Sequence, residues 1–137
     1  MKVFKLGLAI LLTFFVLQGR AEKIDQKKLY DMLIKHNIKY PDKVVRIAVL
    51  ETGHFKSRRA IKDHNIFSLT RNYKIGKRWI TRYEKYKSYN ACIKDYKYRV
   101  QNKLRNNENY YTFLNRIKYA ADKRYVYKLK KIKLHIV

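Results

Sequence analysis

The stretch Val49-Leu50-Glu51-Thr52-Gly53-His54-Phe55-Lys56-Ser57 holds the residue best suited to chemistry in this chain, an acid closing an otherwise apolar run. A carboxylate left among apolar groups costs free energy unless it is paired or used. At a helix end the negative pole of the macrodipole disfavours ionisation of Glu51, and partial burial acts in the same direction. Both favour a carboxyl group that keeps its proton near neutrality, as a general acid must. The many nearby cations act the other way, so the sequence alone leaves the balance open. A second reading of Glu51 is equally open: a bond to the backbone of the next segment, or an ion pair with Arg58 or Arg59. The four histidines show no metal-ligand spacing and Cys92 is the one cysteine, so neither a metal nor a cofactor is expected. Asp63 and Asp95 read as capping or solvated positions.

The helix that must carry Glu51 starts at Pro41, which suits a first turn, with Asp42 complementing its positive end. It runs through Val44, Val45, Ile47, Ala48, Val49 and Leu50, apolar nearly all round, and so should be the buried central helix. Gly53 sits where a helix terminus needs a left-handed residue. Before it, Ile24 to Ile38 reads as an amphipathic helix, with Leu29, Met32, Leu33 and His36 at helical spacing. After it, Ile66–Thr70 and Arg78–Lys85 read as the two extended runs of a small hairpin, joined by a turn over Asn72–Lys77 that contains Gly76. Ser88 reads as the N-cap of a helix carrying Ala91, Cys92, Ile93, Tyr96 and Val100 on to Leu104. Asn106-Asn107 breaks the chain before a helix with Tyr110, Phe113, Leu114 and Ile117. Asp122 reads as the cap of a last helix with Tyr125, Val126, Leu129 and Ile132. The pattern is α+β but mainly α.

Composition narrows the partner. The 137 residues hold 34 Lys+Arg against 10 Asp+Glu, a formal charge of +24. Such a surplus points to nucleic acid, anionic lipid or an acidic envelope polymer. A single domain is the prior at this length. Lys2 and Lys5, the apolar run Leu6–Leu17 and the small residues Gly19 and Ala21 form a signal-peptide pattern over residues 1–21. The run is too short to span a bilayer, so no stable membrane span is expected once it is removed. Cleavage after Ala21 would take away Lys2, Lys5 and Arg20 and no acid, leaving +21 on a domain of residues 22–137. Export to the periplasm, cell wall or medium disfavours nucleic acid, although the Lys/Tyr interleaving over Tyr83–Tyr98 and Tyr125–Lys133 has the composition to bind it. An unpaired Cys92 then reads as a small buried apolar side chain.

Four motifs in order carry a resemblance. They are the helix ending Glu51-Thr52-Gly53, then His64-Asn65-Ile66-Phe67-Ser68-Leu69, then Tyr86-x-Ser88-Tyr89, then Tyr119-Ala120-Ala121-Asp122-x-x-Tyr125. Over roughly Lys43 to Ile132 the chain resembles the bacterial endo-β-N-acetylglucosaminidase domain of autolysins and of the flagellar rod-assembly muralytic protein. The resemblance implies a lysozyme-like helical lobe, a small β-hairpin lobe and a substrate cleft between. It implies a hydrolase that cuts the β-1,4 bond after N-acetylglucosamine in peptidoglycan glycan strands, with anionic envelope polymers as the wider surroundings. It places the catalytic acid at Glu51 and a cleft tyrosine at Tyr119, and it implies substrate contacts from His64, Asn65, Phe67 and Tyr86. Read from the residues alone, Tyr119 also suits a half-buried core aromatic, Asn65 a loop-bonding amide and Phe67 the core.

The chain departs from the family pattern. His64 stands for the usual first Asn, Ser68 for the usual Gly, and His54-Phe55 for an aromatic-Gly pair. Some relatives bring a second carboxylate from the β-lobe; here that lobe offers only Glu84, which also reads as a solvated strand residue beside Arg82 and Lys85. One acid is compatible with hydrolysis, because the acetamido group of an N-acetyl sugar can act as the nucleophile. Two other functions compete: a lytic transglycosylase or muramidase on the same fold, and a non-catalytic cationic glycan-binding module on a degenerate scaffold.

Overall fold

The computed structural model describes residues 22–137; the expected signal segment, residues 1–21, lies outside them. Helix α1, Gln26–Lys35, starts where the Asp25 side chain accepts the Lys28 N–H at 2.8 Å, and it buries Leu29 and Leu33 completely. Helix α2, Pro41–Thr52, is the central helix the sequence predicts. Val44, Val45, Ile47, Ala48, Val49 and Thr52 on it are all buried. It ends at Gly53, whose φ of 56° is the left-handed conformation that glycine adopts without a Cβ clash. A short helix follows that the periodicity does not announce: α3, Arg58–Lys62, capped by the Ser57 hydroxyl accepting the Ala60 N–H at 3.2 Å. Five residues are too few to show a repeat.

The hairpin is present but shifted. Strand β1 is Thr70–Ile75 and β2 is Arg78–Tyr83, antiparallel, with Thr70 opposite Tyr83 and Ile75 opposite Arg78. The expected first strand, Ile66–Thr70, is a loop for all but its last residue. Its apolar residues mark burial under the cleft, and the polar Asn72, Tyr73 and Lys74, expected in the turn, form the strand. Gly76, at φ 59°, leads a two-residue turn that needs a left-handed residue there.

Helix α4, Tyr89–Arg99, opens on Ser88 as expected, its hydroxyl accepting the Ala91 N–H at 3.1 Å. It gives way to a 3₁₀ turn at Gln101–Lys103, so the α-helix stops short of Leu104. Cys92 is buried, and burial pushes its thiol up to about 12. Helix α5 is Tyr110–Arg116 and α6 is Tyr125–Lys131. Asp122 does not cap α6 from the N-cap position, which Arg124 holds. It stands two residues earlier, where its carboxylate accepts the Arg124 N–H at 2.8 Å and its carbonyl accepts the Tyr125 N–H at 3.0 Å.

Two links fasten α6 to α2. Arg46 of α2 donates to carbonyls at the C-terminal end of α6, those of Leu129 and Lys130 and of Ile132 just beyond it, where helix carbonyls run short of partners along the chain. The second link involves Glu51. Among the described residues, no helix is long and apolar enough to cross a membrane.

Candidate active site

Glu51 stands in the last turn of α2, half-buried, at the point where the chain reverses. Gly53, His54 and Phe55 all take left-handed backbone, with φ of 56°, 61° and 63°. For the two residues with a Cβ this costs roughly 1–2 kcal/mol each. Thr52, 2 % exposed, holds the reversal: its hydroxyl donates to the Ala48 carbonyl at 2.6 Å and accepts the Phe55 N–H at 2.7 Å. The Thr and Gly after Glu51 thus serve to end the helix abruptly and leave the carboxyl at its tip.

Glu51 does not use either partner that the sequence offered. Among the described residues it pairs with neither Arg58 nor Arg59. Its Oε1 accepts the Tyr125 hydroxyl at 2.8 Å, and its Oε2 has no protein partner there. Tyr125 is buried at the start of α6, so the two links between α2 and α6 fix where this hydroxyl points. Burial first, then the neighbouring Tyr119 and Glu51, push the Tyr125 phenol far above its ordinary range. It stays protonated and donates at any physiological pH. The periodicity assigns Tyr125 to the core stripe of α6. The sign that it does more lay in its place at the end of the Tyr119–Tyr125 motif.

An open cleft of about 850 Å³ lies over Glu51. Its floor and walls include Phe67, Ser68 and Leu69 of the loop, Tyr83 of β2, Tyr98 and Arg99 of α4, and Tyr119. Among the lining residues, Glu51 is the one carboxylate. Glu51, Phe67 and Tyr119 are therefore brought together. Tyr119 turns its hydroxyl to the Phe67 carbonyl at 3.1 Å, and its ring lies 5.8 Å from that of Tyr125. Burial, then the Glu51 charge, raise its phenol well above the ordinary value. Phe67 is 1 % exposed and packs its ring 4.3 Å from Tyr96, so it meets the cleft as a floor.

Asn65, His64, Tyr86 and Glu84 lie outside the lining. Asn65 is 1 % exposed and sits beneath the cleft. Its amide donates to the Leu69 and Glu84 carbonyls at 2.8 and 3.0 Å, and its Oδ1 accepts the Leu69 N–H at 2.9 Å. It thus ties the loop to the end of β2. His64 donates from Nδ1 to the Tyr86 carbonyl at 2.9 Å and sets its ring edge-on to Tyr89. Tyr86 donates to Asp95 at 2.6 Å; burial, then this bond, raise its phenol. Glu84 Oε1 accepts Arg71 Nε at 2.8 Å and the Tyr73 hydroxyl at 3.0 Å. Its partners belong to the hairpin. Among the described residues no three of His, Cys, Asp and Glu gather as metal ligands do.

A half-buried acid at a helix tip, oriented by a phenol and opening on a long cleft, can deliver a proton to a bound oxygen. The family model for mannosyl-glycoprotein endo-β-N-acetylglucosaminidase matches residues 26–135. Among solved structures, a peptidoglycan hydrolase mutant from Sphingomonas sp. A1 is similar over 74 % of this chain and 85 % of its own, at 20 % identity and a TM-score of 0.54. The catalytic domain of the autolysin Auto from Listeria monocytogenes matches over 88 % and 90 %, at 18 % identity and a TM-score of 0.48. No curated protein matches the sequence. The first likeness is one of fold: a helical body with a small two-stranded lobe, the lysozyme-like arrangement expected from the motifs.

Proposed function

Because the chain belongs to the mannosyl-glycoprotein endo-β-N-acetylglucosaminidase family, we propose that this glycoside hydrolase is exported and cleaves the β-1,4 bond after N-acetylglucosamine in peptidoglycan glycan strands, with Glu51 as the general acid. The observation that carries the assignment is the Glu51–Tyr125 bond at the cleft floor. With Oε1 held, Oε2 is the atom that faces substrate and gives its proton to the glycosidic oxygen. That bond then breaks towards the leaving sugar. The acetamido oxygen of the N-acetyl sugar takes the place of the leaving oxygen at the anomeric carbon and water then opens the oxazolinium ring, or a water attacks directly. In either route the water adds its hydroxyl to the anomeric carbon and its proton restores the Glu51 acid. Tyr119 borders the same space and contacts substrate there. Asn65 acts from below, by holding the Leu69 backbone that forms part of the wall. A formal charge of +24 suits a polyanionic envelope, and that charge together with the export pattern over residues 1–21 is the reason for placing the substrate outside the cell.

One carboxylate among the lining residues also suits a lytic transglycosylase, in which the muramic acid's own hydroxyl attacks. Digestion of purified peptidoglycan followed by mass spectrometry separates the two. Reducing N-acetylglucosamine ends are expected, whereas anhydro-muramic ends would move the assignment to the second reaction. Glu51→Gln is expected to lower the rate by about 10²–10⁴-fold with folding intact; near-full activity would remove Glu51 from the role.

A further inference from the structure

We propose that Tyr83 is a stacking wall for a sugar ring in this cleft, braced from behind by Arg59 and Ser68; the proposal rests on the glycan-hydrolase reading above. Tyr83 is the last residue of β2 and half of its surface is open to solvent. It borders two spaces at once. On one side is the cleft of Glu51, and on the other a smaller recess where Arg58, Arg59, Arg82 and Lys85 outnumber the one acid, Asp63. The Arg59 guanidinium lies 3.4 Å from the Tyr83 ring centroid, within cation–π range, and lines the recess but not the cleft. One face of the ring is thereby occupied. The ring cannot fold back into the recess, and what remains for a ligand is the side that borders the cleft.

Arg59 is itself anchored. Its Nη1 donates to the Ser68 hydroxyl at 3.2 Å. Ser68 has a φ of 53°, in the left-handed region, where a side chain costs free energy that glycine would not. A hydroxyl thus sits at a position whose backbone disfavours it, and that hydroxyl holds the cation that stiffens Tyr83. A rigid aromatic plane pays little ordering entropy when the apolar C–H face of a pyranose settles on it. Tyr83 is the residue in contact with substrate; Arg59 and Ser68 are positioning residues that act through it.

The chemistry expected on this wall is a neutral N-acetylhexosamine ring, so the probe is a soluble N-acetylglucosamine oligomer. Its Kd is measured by calorimetry on the full chain carrying Glu51→Gln, which keeps the oligomer intact. Adding Tyr83→Ala is expected to weaken binding about tenfold, and Tyr83→Phe, which keeps the ring, to leave it within twofold. Arg59→Met, at a residue outside the cleft lining, is expected to weaken binding about threefold. Ser68→Gly is the sharper test, since it relieves backbone strain while removing the hydroxyl that anchors Arg59. Its expected result is binding weakened about threefold with Tm at or above that of the parent. A merely structural Ser68 would move both in the same direction. Parent-like binding by Tyr83→Ala, or a Ser68→Gly chain that loses binding only as its Tm falls, overturns the proposal. If the folded Glu51→Gln parent itself does not bind the oligomer, the glycan reading fails and this proposal fails with it.

Discussion

The two walls of the cleft are built on opposite terms. On the helical side Glu51, Tyr119 and Tyr125 are each fixed by at least one polar bond and by ring packing that runs on to Tyr96 and Phe67. On the hairpin side nearly every residue of β1 and β2 is exposed, and the lobe hangs on a few polar ties. These are the Glu84 N–H to the Leu69 carbonyl at 2.9 Å, the Asn65 amide, Arg99 on the Thr70 carbonyl, and Arg59 on Tyr83. A proton-transfer group needs its geometry fixed before substrate arrives, and packing supplies that at no cost during the reaction. A wall that only touches a polymer gains from yielding, and a lobe with little buried apolar surface opens at lower free energy than the core.

The largest effect expected on the first wall is that of Glu51→Gln. The largest on the second is Asn65→Ala. It would take from the Leu69 N–H and the Glu84 carbonyl the partner that Asn65 supplies, while the Leu69 carbonyl keeps the Glu84 N–H, at about 2–3 kcal/mol in all. Amide exchange followed by mass spectrometry should show the loss concentrated in Thr70–Tyr83, with α2 still protected up to global unfolding. Equal deprotection of α2 would mean that the two walls are one cooperative unit, and the comparison would break.

The asymmetry also decides what the sequence could show. The central helix was legible because Val44 to Leu50 is apolar all round, and Glu51-Thr52-Gly53 stands out against it. Ser88 was legible as a cap because capping depends on neighbours in sequence. The hairpin's register was not, because Ile66–Leu69 is apolar owing to burial as a loop, and a short apolar run looks the same in either case. Asn65 could be marked as important from its motif, and two of its backbone bonds are local, to Leu69, but the third, to the Glu84 carbonyl, depends on the end of the hairpin arriving from 19 residues away. Tyr125 was read as core, which its burial supports. Its hydroxyl reaches Glu51 across 74 residues of chain, and no periodicity reports that.

Tyr125→Phe sharpens the comparison from within the helical wall. It removes one hydroxyl and keeps the ring against Tyr119. A hydrogen bond to a group that carries charge during the reaction is worth about 1.5–3 kcal/mol, so the rate should fall roughly ten- to a hundredfold. The effect should fall on kcat, with KM little changed, because Tyr125 lies outside the cleft lining. An unchanged kcat would mean that packing of α2 on α6 alone orients the acid.

Glu84→Gln is expected to do least, and its smallness is informative. Glu84 is the hairpin's own carboxylate, so if this wall shared the chemistry, the effect of losing its charge would approach that of Glu51→Gln. The geometry says otherwise: Glu84 is spent on Arg71 and Tyr73, and both lie on β1. Arg71 is exposed, so solvent screens the pair and its loss costs little. A glutamine still offers an oxygen to Tyr73. Activity on peptidoglycan should therefore stay within twofold, and Tm should shift by no more than a few degrees. A drop of a hundredfold without unfolding would place a second acid in the reaction and make the hairpin a catalytic wall. An unchanged rate leaves the chemistry on the helical side, with the hairpin holding the polymer against it.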